Sequence, residues 1–204
     1  RRTHGASGVR PLRTSAWDRR GLVVGHVQSG KTSNYSGLIC KAADAGYKII
    51  IVLAGMHNNL RSQTQMRLEE GFLGYETTDD RGAGKAIGVA HFGDDLKTNS
   101  ATTRADNGDF SKVAAKRFHG ISPEERPWLF VVKKQKTVLT ALLNWLQTRV
   151  ADATDIDDGR KLITKLPLLM IDDEADNASV DTGEQLFNED GTPDEEHQPK
   201  TINS

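Results

Sequence analysis

A single cysteine, Cys40, stands among 204 residues, which excludes both a disulfide framework and a multi-cysteine zinc cluster. Lying in an apolar pattern, it reads as a small core residue rather than a nucleophile. Aromatic residues make up only 6% and hydrophobic residues 36%. With a mean hydropathy of -0.54, part of the chain is expected to be loop rather than core. Neither sign of charge prevails: 27 basic residues face 28 acidic ones, a formal net charge of -1. There is thus no bulk attraction to nucleic acid, although a local groove needs only a few Lys and Arg. No apolar run approaches transmembrane length, so no membrane partner is expected. The opening Arg1-Arg2-Thr3-His4-Gly5 lacks the apolar core of a signal peptide, giving a cytoplasmic expectation. The absence of an initial Met suggests a piece of a longer protein.

What is present begins with Gly25-His26-Val27-Gln28-Ser29-Gly30-Lys31-Thr32, a match to G-x-x-x-x-G-K-[ST]. It follows the apolar run Leu22-Val23-Val24, expected as a short strand over 21–24. A segment of helical periodicity follows, with Tyr35, Leu38, Ile39 and Ala42 on one stripe and Gly46 closing it. A phosphate-binding loop requires this context. Gly25 and Gly30 let the backbone curl so that successive N–H groups point at a polyphosphate, with His26, Gln28, Ser29 and Ser33 around it. Lys31 adds positive charge near the β- and γ-phosphates, and the Thr32 hydroxyl can ligate Mg²⁺. ATP and Mg²⁺ are the expected cofactors.

Far downstream, Leu168-Leu169-Met170-Ile171 runs into Asp172-Asp173-Glu174-Ala175-Asp176. The pattern predicts a buried parallel strand that delivers carboxylates to its C-terminal edge, where ligands of open α/β sheets bind. Asp173 is expected to hold Mg²⁺ and Glu174 to orient and polarise the attacking water. Asp172 is an extra acid, either outer support or the Mg²⁺ ligand if the register shifts by one.

Asp173-Glu174-Ala175-Asp176 spells the DEAD box, so the chain resembles superfamily 2 helicases and related ATPases. It is more closely similar to the Z1-domain family, helicase-like ATPases of bacteria and archaea often labelled endonucleases. The similarity is carried by the stretches Gly21 to Tyr35, Ile49 to Leu68 and Leu168 to Val180, with a weaker echo in Lys200-Thr201-Ile202-Asn203. The resemblance implies an NTP-driven motor or switch on DNA, in restriction or phage-defence settings alongside a MutL-like (GHKL) ATPase. It also implies a coupling role for Asp176, and a second RecA-like lobe carrying an arginine finger beyond this chain.

The rest of the chain fits one α/β domain: the first RecA-like lobe of a P-loop NTPase, a mainly parallel sheet flanked by helices, over 21–180. Residues 1–20 read as an entry segment, in which Trp17 either stacks on the adenine, as the resemblance to helicase-like ATPases implies, or packs on the domain edge. A buried parallel strand is expected over Lys48 to Leu53, then a turn over Gly55 to Asn59 and a helix over Leu60 to Glu69. His57, Asn58, Arg61 and Gln63 could there face nucleic-acid phosphates. Residues 71–127 read as a loop-rich insertion with a strand over Ala86 to Phe92, and with Lys112, Lys116 and Arg117 on a solvated face. Trp128 to Val132 predicts another strand, followed by Lys133 and Lys134 on the ligand side, where phosphate contact or plain solvation is open to them. A helix over Thr137 to Val150 and an acidic connection over Ala151 to Lys165 complete the lobe. Residues 181–204 read as an acidic, Pro- and Gly-containing linker.

Three functions fit these residues. A DNA-dependent ATPase or translocase is favoured. An endonuclease would need a Lys close to its acids, and the acidic run supplies none in sequence. A nucleotide-gated switch without unwinding is the third.

Overall fold

The computed structural model describes residues 19–24, 30–77, 83–93, 98–122 and 125–175. In chain order its elements are α1 (Lys31–Asp44), β1 (Ile49–Ala54), α2 (Asn58–Leu68), β2 (Tyr75–Thr77), β3 (Ala83–Ala86), β4 (Asn99–Ser100), α3 (Lys112–Ala115), β5 (Trp128–Val132), α4 (Lys136–Trp145), β6 (Ala153–Thr154), β7 (Lys161–Leu162) and β8 (Leu168–Asp173). Single π-helical turns extend α2 over Glu69–Leu73 and α4 over Leu146–Val150. Among the described residues no helix is long and apolar enough to cross a membrane.

The protein is an α/β fold around a four-stranded parallel sheet of order β4-β5-β1-β8. The β-branched run Ile49 to Val52 explains why β1 is central, since every residue of this strand is buried. Two apolar layers cover the faces. On one, Tyr35 and Ile39 of α1, with Leu68, Phe72 and Leu73 at the end of α2, pack on Ile50, Val52, Leu129 and Val131. On the other, Val138, Leu142 and Trp145 of α4 pack on Ile49, Ile51, Phe130 and Val132. Phe110 closes this second layer, with ring centroids 5.6 Å from Phe130 and 5.8 Å from Trp145 in edge-on contact.

Crossovers from β1 through α2 to β5, and from β5 through α4 to β8, use opposite faces and opposite directions, as right-handed connections must. The first departure from expectation lies ahead of α1. Handedness would place a strand entering α1 beyond β8, at the outer edge of the sheet. Residues 21–24 nevertheless form no strand, and Leu22, Val23 and Val24 are exposed.

Other expectations change in detail. β8 is parallel but covered on one face only: Met170 is 55% exposed while Leu169 and Ile171 turn inward. The strand expected over Ala86 to Phe92 is instead the end of β3 followed by a 3₁₀ turn over Gly88–Phe92. Leu38, assigned to the apolar stripe of α1, faces out. Cys40 is only half-buried, its thiol donating to the Gly71 carbonyl at 3.5 Å. Within the loop-rich 71–127, β4 joins the main sheet beside β5. The acidic connection after α4 carries the β6–β7 hairpin.

Candidate functional site

The C-terminal ends of β1 and β8 meet the N-terminus of α1. Register pairs Leu53 with Asp172 and Ala54 with Asp173, so the acids emerge beside the end of the central strand. Gly30, at φ 74°, turns the chain into α1 through the left-handed region that glycine tolerates. The 14-residue helix leaves its first N–H groups without intrahelical acceptors, aimed at this edge. Lys31, Thr32 and Ser33 from α1, Asp173 at the end of β8 and Glu174 just beyond it line one open cavity of about 1180 Å³. Two segments far apart in sequence are thereby brought to one site.

Their side chains are already linked. The Tyr35 hydroxyl, one helical turn beyond Thr32, donates to Asp173 Oδ2 at 3.1 Å. Burial pushes this phenol up to about 12, with a Thr32 hydrogen bond opposing the shift, so it remains a donor at neutral pH. Arg67 Nη1 donates to Thr32 Oγ1 at 3.0 Å from the last turn of α2. Among the described residues no three His, Cys, Asp or Glu side chains form a metal cage. Mg²⁺ does not need one, since one or two protein oxygens plus phosphates suffice for it. Thr32 and Asp173, which both line the cavity, supply oxygens of that kind.

Glu174 has a φ of 55°, the sole non-glycine positive φ among the described residues. Such a conformation costs roughly 1–2 kcal/mol and persists only where neighbours hold it. Lys134 does so: its Nζ donates to the Glu174 carbonyl at 2.6 Å and pairs with Asp172 at 2.5 Å. The Glu174 side chain lies against Gly55, where an added Cβ would stand 3.5 Å from its Oε2.

Lys134 and Arg61, candidates for nucleic-acid phosphates, are turned inward instead. The Lys134 side chain is buried against the β8 acids. Arg61 is fully buried, its guanidinium donating to the carbonyls of Thr103 and Ala105. Its helical neighbours explain why. Gln65 receives the Thr102 hydroxyl at 2.8 Å, and buried Glu69 takes Arg104 and the Thr77 hydroxyl. The inner face of α2 thus acts as a polar spine for the strandless segment 101–105, donating to the carbonyls of Thr103, Arg104 and Ala105.

His57, Asn58 and Lys133 remain together, lining a smaller cavity of about 480 Å³ at the ends of β1 and β5. Lys133 leans on Asp109, 3.8 Å away. Gln63 lies apart from them, on the wall of the larger cavity. Tyr35 and Arg67 carry no motif. The spacing of Tyr35 from Thr32 could have pointed to it, whereas nothing local marks Arg67. Gly25, His26, Gln28, Ser29 and Asp176 lie outside the described residues, as does Trp17.

Comparison with protein-family models, with curated proteins and with solved structures found no match.

Proposed function

We propose that this chain is the RecA-like P-loop lobe of a helicase-like, DNA-dependent ATPase or translocase of the Z1 type. The observation that supports it most is the shared cavity: Lys31 and Thr32 at a helix N-terminus face Asp173 and Glu174 at a strand end. A polyphosphate needs the first pair, and a divalent cation with a polarised water needs the second. In this reading Gly25, His26, Gln28, Ser29, Gly30 and Ser33 surround the phosphates. Lys31 compensates their charge, and Thr32 and Asp173 would hold Mg²⁺, which would supply charge neutralisation. Glu174 orients and polarises the attacking water, while Asp176 couples nucleotide state to a second lobe.

DNA is the proposed polymer, met on the same sheet edge by His57, Asn58 and Lys133. A cytoplasmic setting in bacterial or archaeal restriction or phage defence, with a MutL-like partner, belongs to the same reading. The endonuclease alternative gains little. Lys134 does lie beside the acids, but its ammonium is buried and committed to Asp172 and the Glu174 carbonyl. The switch alternative differs only in turnover.

The test is Mg²⁺-dependent ATP binding by this chain, with Lys31→Ala alongside, followed by DNA-stimulated hydrolysis in the full-length parent. Saturable binding lost in Lys31→Ala is the expected result. Binding that ignores Lys31, or none in the parent, would overturn the proposal. Turnover indifferent to DNA would leave the switch.

A further inference from the structure

We propose that Arg67 is a phosphate-binding residue of the nucleotide site, resting on Thr32 until a polyphosphate takes it over. This assignment rests on Lys31 and Thr32 forming a polyphosphate site, and it adds a cation that no motif supplies.

Placement is the first argument. Along α2, Leu60, Gln63 and Arg67 recur at spacings of three and four and line the large cavity, as does Glu70 just beyond the helix. One helix face is therefore directed at the site. The opposite face is held rigidly: Arg61, Gln65 and Leu68 are buried, and Arg61, Ser62 and Gln65 bond the 100–105 segment. The backbone that carries Arg67 is thus fixed while its side chain is exposed to the cavity. That combination suits a ligand-binding arginine, since the anchor need not be ordered at binding.

Chemistry is the second. Arg67 is bonded to a neutral hydroxyl, Thr32 Oγ1, at 3.0 Å. A guanidinium has five N–H donors in a planar fork, and a single hydroxyl engages one of them. Arg–phosphate pairs are commonly bidentate and about twice as strong as neutral hydrogen bonds.

Charge is the third. A nucleoside triphosphate brings about four negative charges into a cavity whose wall already holds Glu70, Asp173 and Glu174. Mg²⁺ and Lys31 together offset about three of them. Arg67 is the further cation on that wall. Its bond to Thr32 also uses an oxygen that a divalent cation would need. Arg67 therefore exchanges the Thr32 hydroxyl for phosphate oxygens as the site fills, and Thr32 is released in the same movement.

The experiment is equilibrium binding of Mg²⁺·ATP to this chain as wild type, Lys31→Ala, Arg67→Ala, Arg67→Gln and Arg67→Lys, with a thermal melt of each. The expected result is ATP affinity lower by about 10–100-fold in Arg67→Ala and Arg67→Gln, from loss of a charge-assisted hydrogen-bonded pair. Arg67→Lys should fall between these and wild type, and every Arg67 variant should melt as wild type does. If Arg67→Ala and Arg67→Gln bind as tightly as wild type while Lys31→Ala loses binding, the Arg67 proposal fails and the P-loop reading stands. If wild type shows no Lys31-dependent binding, both fail together. Should Arg67→Ala melt early, a folded Arg67→Gln with wild-type affinity would overturn the proposal equally.

Discussion

The buried ammonium of Lys134 holds the main-chain carbonyl of Glu174 at 2.6 Å, and with it the left-handed turn that aims the Glu174 side chain into the cavity. The same ammonium neutralises Asp172, so one lysine from the end of β5 sets the tip of β8. Replacing it by Met leaves Asp172 without that cation and Glu174 without its clamp. Asp172 is 32% exposed, which lowers the cost below the full penalty of a broken buried pair. Lys134→Met is expected to lose about 1–3 kcal/mol in chemical denaturation. Nucleotide binding should persist while ATP turnover falls. Wild-type stability in this variant would contradict the clamp.

Gly55, at φ 66°, closes β1 beside that tip, and an added Cβ would meet Leu60 Cδ1 at 3.1 Å. Gly55→Ala combines left-handed strain with this close approach. A loss of about 1–2 kcal/mol is expected from the conformation alone, read as an earlier urea midpoint with an unchanged slope.

Tyr35→Phe removes one hydroxyl and keeps the packing on Ile50 and Val52. Stability should change by about 1 kcal/mol or less. Asp173, however, loses the side-chain donor to its Oδ2 and keeps only the Glu174 N–H on Oδ1. The Mg²⁺ concentration needed for half-maximal ATP binding should rise by about tenfold, as when an outer partner of a metal ligand is lost. Binding measured without Mg²⁺ should be unaffected.

Arg61→Met keeps the bulk of the side chain and removes the donors to Thr103 and Ala105. Two carbonyls in the irregular segment then lose their charged partner, a cost of about 2–4 kcal/mol. A variant as stable as wild type would mean that the guanidinium is not committed inside. Lys133→Ala, which lines the smaller cavity, should by contrast act on DNA affinity rather than on folding.

Asp109 offers a pH test outside the nucleotide site. Burial raises its pKa above the ordinary 3.8, with the Phe110 amide, Arg61 and Lys133 opposing. The unfolded chain therefore releases this proton at lower pH than the folded protein does. Stability from Asp109 is complete below pH 3.8 and is lost as pH rises through the folded value. Asp109→Asn does not titrate, so its stability relative to wild type should increase as pH rises from the ordinary carboxylate value through the raised folded one. Parallel stability curves across that range would refute the shift.

The parallel strands were legible because their cues are local. Ile49 to Leu53 and Trp128 to Val132 are uninterrupted apolar runs, and both form central parallel strands. The strand ending in Asp172-Asp173 was legible as well, though not its bare outer face, because cover depends on what lies beside it. Leu22 to Val24 form no strand although handedness would place one beyond β8, so the apolar triplet alone did not decide pairing.

Polar side chains were read less well. Arg61 and Lys134 have the composition of phosphate contacts, and each is spent on carbonyls and carboxylates of distant segments. Tyr35 was read as part of an apolar stripe, which it is, yet its hydroxyl reaches Asp173 across the cavity. For long polar side chains the partner decides the role, and here those partners lie 30 or more residues away.

By itself the sequence determined the α/β class, the central strands and the two chemically pointed segments around Lys31 and Asp173, because periodicity and motif spacing act within one element. Only the tertiary structure decided which charges face the cavity and which are consumed inside. A buried charge must find a partner or an acceptor, and that choice is made by segments that meet only when the chain is folded.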